Sequence, residues 1–200
     1  VILGLKIALK QNKITQDVYD DYIQRMLKSS DNIPEIANKA KQWYQNNKED
    51  LLKCRRLYII GYENCVSAML EGTLKISESV RYSTQCYELE EFMHGIYHCI
   101  DENTYMFYLG VAGQYFERTK KLKRYFEEER HAHCFLISNE NNNESDFTFP
   151  FTNDKDFAVL EYIVPLQVFA RCCSADLGID ANIPSDPDFH KKMQSYVYDK

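Results

Sequence analysis

Three short apolar runs constrain this chain more than any other feature. Leu57-Tyr58-Ile59-Ile60 ends in Gly61, Thr104-Tyr105-Met106-Phe107-Tyr108-Leu109 ends in Gly110, and Cys134-Phe135-Leu136-Ile137 ends in Ser138. Each is short, rich in β-branched and aromatic residues and without polar alternation, the pattern of a strand covered on both faces. Helical stretches stand between them. Cys65 to Val80 places Val66, Met69, Leu70, Leu74 and Ile76 at packing positions, and Gln114 to Arg130 is a charged helix. After the polar loop Asn139 to Ser145, Asp146 to Phe149 predicts a short fourth strand. Phe157 to Leu177 predicts a long helix bent by Pro165. Strands alternating with helices give a parallel sheet covered on both faces, so the expected class is α/β, a three-layer αβα sandwich. In such sheets ligands bind beyond the C-terminal strand ends, which points to the loops after Ile60 and Leu109 and around Ser138.

A helical segment precedes the first strand. Ile2, Leu5 and Leu9 fall at helical spacing with neither a Met nor a capping residue before them, so the chain reads as a piece that starts inside a helix. Lys6 interrupts the apolar run and no basic region precedes it, which makes a poor signal peptide. Thr15 caps a helix through Val18, Tyr22, Met26 and Leu27, with a break at Ser29 to Asn32. Pro34 then suits the first turn of a helix carrying Ile36, Ala40, Trp43 and Tyr44.

Composition removes whole classes of function. With 44% hydrophobic and 27% charged residues, the 200-residue chain is globular rather than disordered. No window approaches the roughly 18 uninterrupted apolar residues of a membrane span. A net charge of −6 argues against a nucleic-acid groove. The seven cysteines are odd in number and include no C-x-x-C pair, so reduced, mostly buried thiols in a cytoplasmic protein are expected.

Glu71, Lys75 and Glu78 share one helix face and read first as a solvated ion-pair stripe. Arg118 to Arg124 is balanced by Glu127 to Glu129, again a solvated face. His131 and His133 lack further ligands at metal spacing, so no metal or cofactor is expected. Cys65 sits at a predicted helix N-terminus, where a thiol can be activated, although a packed thiol is the favoured reading. Cys172 and Cys173 lie on an apolar helix and read as core. Tyr62, Tyr82, Tyr87 and Tyr97 could line a pocket, and burial with a bonded hydroxyl explains them equally well.

Taken together, four islands resemble the SIS (sugar isomerase) domain family. Glu71-Gly72-Thr73-Leu74-Lys75-Ile76-Ser77-Glu78 and Glu91-Phe92-Met93-His94-Gly95 are similar, at the same gap, to the E-G-A-L-K-L-K-E and E-L-K-H-G-P stretches of the second SIS domain of glucosamine-6-phosphate synthase and of fructosamine-phosphate deglycases. Tyr162 to Ala170 resembles Y-x-V-P-L-Q-L-L-A, and Pro187 to Lys192 resembles P-R-N-L-A-K. The G-R-G loop of the family is Gly61-Tyr62-Glu63 here, H-G-P is His94-Gly95-Ile96, and the E-F-x-H-G form is closer to the deglycases.

The resemblance implies a flavodoxin-like SIS sheet. It implies a helical connector over 1–50 from a first SIS domain that is missing, a second SIS domain over 51–180, and a tail over 181–200 covering a sugar site. It implies Glu78, His94 and Lys192 as catalytic residues: Glu78 shuttles a proton between C1 and C2, His94 serves as an acid reaching a partner's site, and Lys192 covers the sugar. Lys75, Glu91 and Tyr62 are the implied substrate contacts. The implied partners are a phosphorylated sugar or sugar–amine adduct and a second subunit, with no nucleic acid and no membrane. The expected function is a deglycase or isomerase. The alternatives are the isomerase half of an aminosugar synthase and a sensing module without turnover.

Overall fold

The computed structural model describes residues 1–140 and 143–195. Asn141 and Asn142 of the predicted polar loop, and residues 196–200 of the predicted tail, lie outside them. Three helices come first: α1 (Ile2–Lys10), α2 (Gln16–Asp31) and α3 (Ile33–Leu51). The sheet then alternates with helices: β1 (Arg56–Gly61), α4 (Val66–Ser79), β2 (Ser83–Glu88), α5 (Leu89–Phe92), β3 (Tyr105–Gly110), α6 (Phe116–Arg130), β4 (His133–Ser138) and β5 (Phe147–Thr148). The long α7 (Ala158–Asp176) and the short α8 (Phe189–Lys192) follow.

All five strands are parallel, in the order β2-β1-β3-β4-β5. The three apolar runs are the three inner strands, in register at Ile59, Phe107 and Phe135. α3, α4 and α7 cover one face with a core that includes Ile36, Tyr44, Met69, Phe107, Leu166 and Phe169. The other face buries Tyr58, Leu89, Phe92, Met106, Phe126 and Leu136, under α5 and α6. This is the expected three-layer α/β sandwich.

β2 is the strand that no apolar run announces. It is an edge strand, and Ser83 and Gln85 face solvent, so its composition is polar although its backbone completes the ladder with β1. The predicted break at Ser29 to Asn32 narrows to Asn32 alone. Ser29 is buried within α2 and Ser30 Oγ bonds back to the Met26 carbonyl, so both serines fit inside the helix.

Of the helical segment, α3 is built into the core. Trp43 of α3 packs edge-on against Phe107, Phe135 and Phe147, and its Nε1 donates to the Ser145 carbonyl at 2.7 Å. α2 is tied to the loop before α7 by Arg25, which donates to both carboxylate oxygens of Asp154 at 2.7 and 2.8 Å. Among the described residues, α7 is the one helix long and apolar enough to cross a membrane, although Glu161, Gln167 and Arg171 interrupt its apolar run. It runs through Pro165, and more than half of it is buried between α3 and α4, the setting of a core helix.

Candidate active site

α4 starts directly after β1, at the C-terminal edge of the sheet, and returns to the start of β2 at the opposite edge. Ala68, Met69, Gly72 and Ile76 face inward, which turns Leu70, Leu74 and the charged stripe outward. Lys75 Nζ lies 3.0 Å from Glu78 Oε2 and 3.7 Å from Glu71 Oε1. The hydrogen bond to Glu78, with the charge of both carboxylates, raises the Lys75 ammonium above its usual range. Lys75 therefore stays charged beside Glu78, as both the stripe reading and the resemblance require.

Glu78 is exposed and opens onto a groove of about 500 Å³. Ser77, Glu78 and Arg81 form one wall, and Asn182, Asp186 and His190 of the tail stand opposite. Lys192 lies at the end of α8 in the same tail and is held by Asp186, with Nζ 3.0 Å from Oδ2. The structure thus gathers Glu78, Lys75 and the segment bearing Lys192 at one edge of the sheet.

His94 stands at the other edge. α5 starts at the end of β2 and is capped by Glu88, whose carboxylate accepts the backbone N–H groups of Glu90 and Glu91 at 2.7 and 3.1 Å. The backbone N–H of His94 donates to the Glu91 carbonyl at 3.1 Å, and Gly95, with φ of +142°, turns the chain away. Glu91 and His94 are both exposed there. The whole of β2 separates this loop from the end of α4, on the order of 17–20 Å at the rise of a strand. α4 and α5 also pack on opposite faces of the sheet, which sets Glu78 and His94 of one chain apart.

The loops after Ile60 and Leu109 and around Ser138, where an α/β crevice is expected, are bonded to neighbouring segments. Gln114 Nε2 donates to Glu63 at 3.4 Å, Asn153 Nδ2 to Asn139 at 2.8 Å, and the Tyr162 hydroxyl to the Gly110 carbonyl at 3.0 Å. The groove beside Glu78 lies away from them because α4 carries the stripe to the opposite edge. Tyr62 is buried at that C-terminal edge, with its hydroxyl donating to the Val111 carbonyl and its ring edge-on to Tyr115. Of its two sequence readings, the buried tyrosine with a bonded hydroxyl is the one the structure shows.

The remaining candidates resolve as packing. Burial pushes the Cys65 thiol up to about 12 in spite of its place at the start of α4, and Cys54 and Cys134 are raised to about 12 for the same reason. Cys99 departs from the buried expectation: it is exposed and lies 3.2 Å from the Tyr58 hydroxyl. His133 Nδ1 lies 2.9 Å from Asp50 and its ring stacks on Tyr105, whereas His131 is the left-handed cap of α6. Arg81 and Asp186 are missed by sequence reasoning, since the link from Arg81 to the tail spans 102 positions.

No family model matches the chain. A Clostridium difficile 630 structure provisionally described as a phosphosugar isomerase superposes with a TM-score of 0.89 at 28% identity, over 96% of this chain and 54% of that one. This is the sugar isomerase (SIS) fold. A Salmonella typhimurium LT2 structure, provisionally described as a sugar-binding protein, matches the SIS fold here with a TM-score of 0.79 at 29% identity, over 86% of this chain and 53% of that one. The glutamine–fructose-6-phosphate aminotransferase (isomerizing) of Methanosarcina mazei is 25% identical over 190 residues, 90% of this chain and 30% of that protein. The chain thus spans about half the length of these solved structures and less than a third of the curated relative.

Proposed function

We propose that this SIS chain supplies half of a composite phosphosugar site, with Glu78 as the base that moves a proton between C1 and C2. The observation that carries this reading is the exposed Glu78 carboxylate, paired with Lys75 and opening onto the groove that the tail shares. A carboxylate is the right group for proton transfer along a two-carbon unit, and a fixed ammonium beside it favours the enolate-like charge that develops on the sugar. On a phosphorylated ketosamine, Glu78 takes a proton from C1 and returns it at C2. The product is an imine at C1, which water hydrolyses to glucose 6-phosphate and the free amine. An imidazole suits protonation of the departing nitrogen, and His94 fills that role from a second subunit, because the distance along β2 removes it from Glu78 of its own chain. The reading therefore includes a homodimer at least, in the cytoplasm.

The test is turnover by the full-length protein of phosphorylated sugar–amine adducts and of simple hexose 6-phosphates. Glu78→Gln keeps the shape and deletes the base, so it is expected to reduce kcat by at least roughly a hundredfold, the usual scale of general-base loss. An unchanged rate in that variant would remove Glu78 from the mechanism. The isomerase half of a glutamine-dependent aminosugar synthase is the second reading, favoured by the Methanosarcina similarity. It requires fructose 6-phosphate and ammonia as substrates in the same assay.

A further inference from the structure

Arg81 follows α4 with a φ of +64°. Its N–H closes on the Ile76 carbonyl at 3.1 Å and ends the helix in a left-handed turn. Glycine takes that turn without strain, so an arginine there holds a less favourable backbone. What the arginine adds is its side chain. Nη2 donates to the carbonyl of Ile183 at 2.8 Å, joining the end of α4 to the tail. Several other hydrogen bonds among the described tail residues are internal. Asp180 accepts from Asn182, and Asp186 accepts from the backbone of Asp188 and from Lys192. Arg81 also lies in the wall of the groove onto which Glu78 opens.

We propose that Arg81 is a positioning residue. Its bond to Ile183 anchors the base of the tail, so that residues 184–190 hold the second wall of the groove beside Glu78. The bridge from Asp186 to Lys192 ties α8 back to the segment just beyond the Arg81 anchor. The catalytic consequence rests on the reading of Glu78 given above, whereas the anchoring itself does not.

Arg81→Gly separates the two properties of the residue, because glycine relieves the left-handed backbone while deleting the guanidinium. In hydrogen–deuterium exchange on the full-length protein, amides of residues 181–195 are expected to exchange roughly three- to tenfold faster in Arg81→Gly, the scale of one charge-assisted hydrogen bond at a surface. Amides of β1, β3 and β4 keep their protection, and the melting temperature does not fall. Arg81→Lys, which retains a cationic donor, recovers part of the tail protection. With a sugar-phosphate substrate, Arg81→Gly raises KM more than it lowers kcat. Unchanged tail exchange in Arg81→Gly overturns the anchor, and so does acceleration spread evenly over the sheet. If the full-length protein turns over no phosphorylated sugar, the catalytic reading fails, while the exchange result still decides whether Arg81 holds the tail.

Discussion

Gly72 lies where α4 crosses α7. A methyl group placed on it would collide with Leu166 Cδ1 and sit 3.1 Å from Leu166 Cβ, and Leu166 is fully buried. Gly72→Ala should gain helix propensity and still lose stability, by about 1–3 kcal/mol, because overpacking outweighs propensity at so close a contact. Urea unfolding measures the difference, and an equally or more stable variant would show that Leu166 has somewhere to go. The neighbouring Glu71, Lys75 and Glu78 face outward on the same helix, and Lys75 and Glu78 carry the chemistry proposed above. The motif thus mixes a packing residue with functional ones. Their spacing was legible in the sequence, but their separate jobs were not, since only Leu166, 94 positions away, makes Gly72 necessary.

Between elements, the clearest case is the attachment of α2. Arg25 grips Asp154, and the pair is mostly shielded, with side chains 23% and 14% exposed. Arg25→Ala should cost about 1–2 kcal/mol after allowance for screening, measured by urea unfolding. The Arg25 guanidinium holds the Asp154 carboxyl below its ordinary 3.8. A carboxyl lowered by folding adds stability that is complete above the unfolded value and is lost as pH falls through the folded one. Acidification below about pH 4 should therefore loosen α2 from the loop before α7. Exchange of α2 amides between pH 5 and pH 2.5 reads this directly, and the acid effect should be absent from Arg25→Ala. The amphipathic pattern of α2 is readable from sequence, and its cap is where Thr15 predicts it, with Val18 N–H donating to Thr15 Oγ1 at 3.3 Å. Its partner loop is not readable, because the ion pair closes over 129 positions. β2 was missed for a related reason. An edge strand needs no apolar run, and pairing with β1 alone gives it its place.

For the whole molecule, the decisive quantity is the length of β2. It sets the end of α4 and the start of α5 at opposite ends of one strand, and the site proposed above, which uses both Glu78 and His94, draws on two chains. Mixing full-length Glu78→Gln with full-length His94→Ala, each inactive alone, should restore roughly a quarter of wild-type activity, since half of randomly paired dimers are mixed and each then holds one intact site. No recovery after subunit exchange would place the two residues in separate functions. α1 adds a second whole-molecule feature: it has no buried residue, and Ile2, Leu3 and Ile7 are exposed.

The layers and the candidate residues are legible in the amino-acid pattern alone. Buried strands must be apolar on both faces and covering helices on one, so β1, β3, β4, α4, α6 and α7 were readable within a few residues. The spacing from Glu78 to His94 likewise belongs to the chain alone. Which of these residues meet is a property of the folded chain. Burial of Tyr62, the close approach at Gly72, the anchor from Arg81 to Ile183 and the separation of Glu78 from His94 all depend on contacts between distant segments. Such contacts are made by packing, and local pattern records that a residue is polar or apolar without recording what it faces.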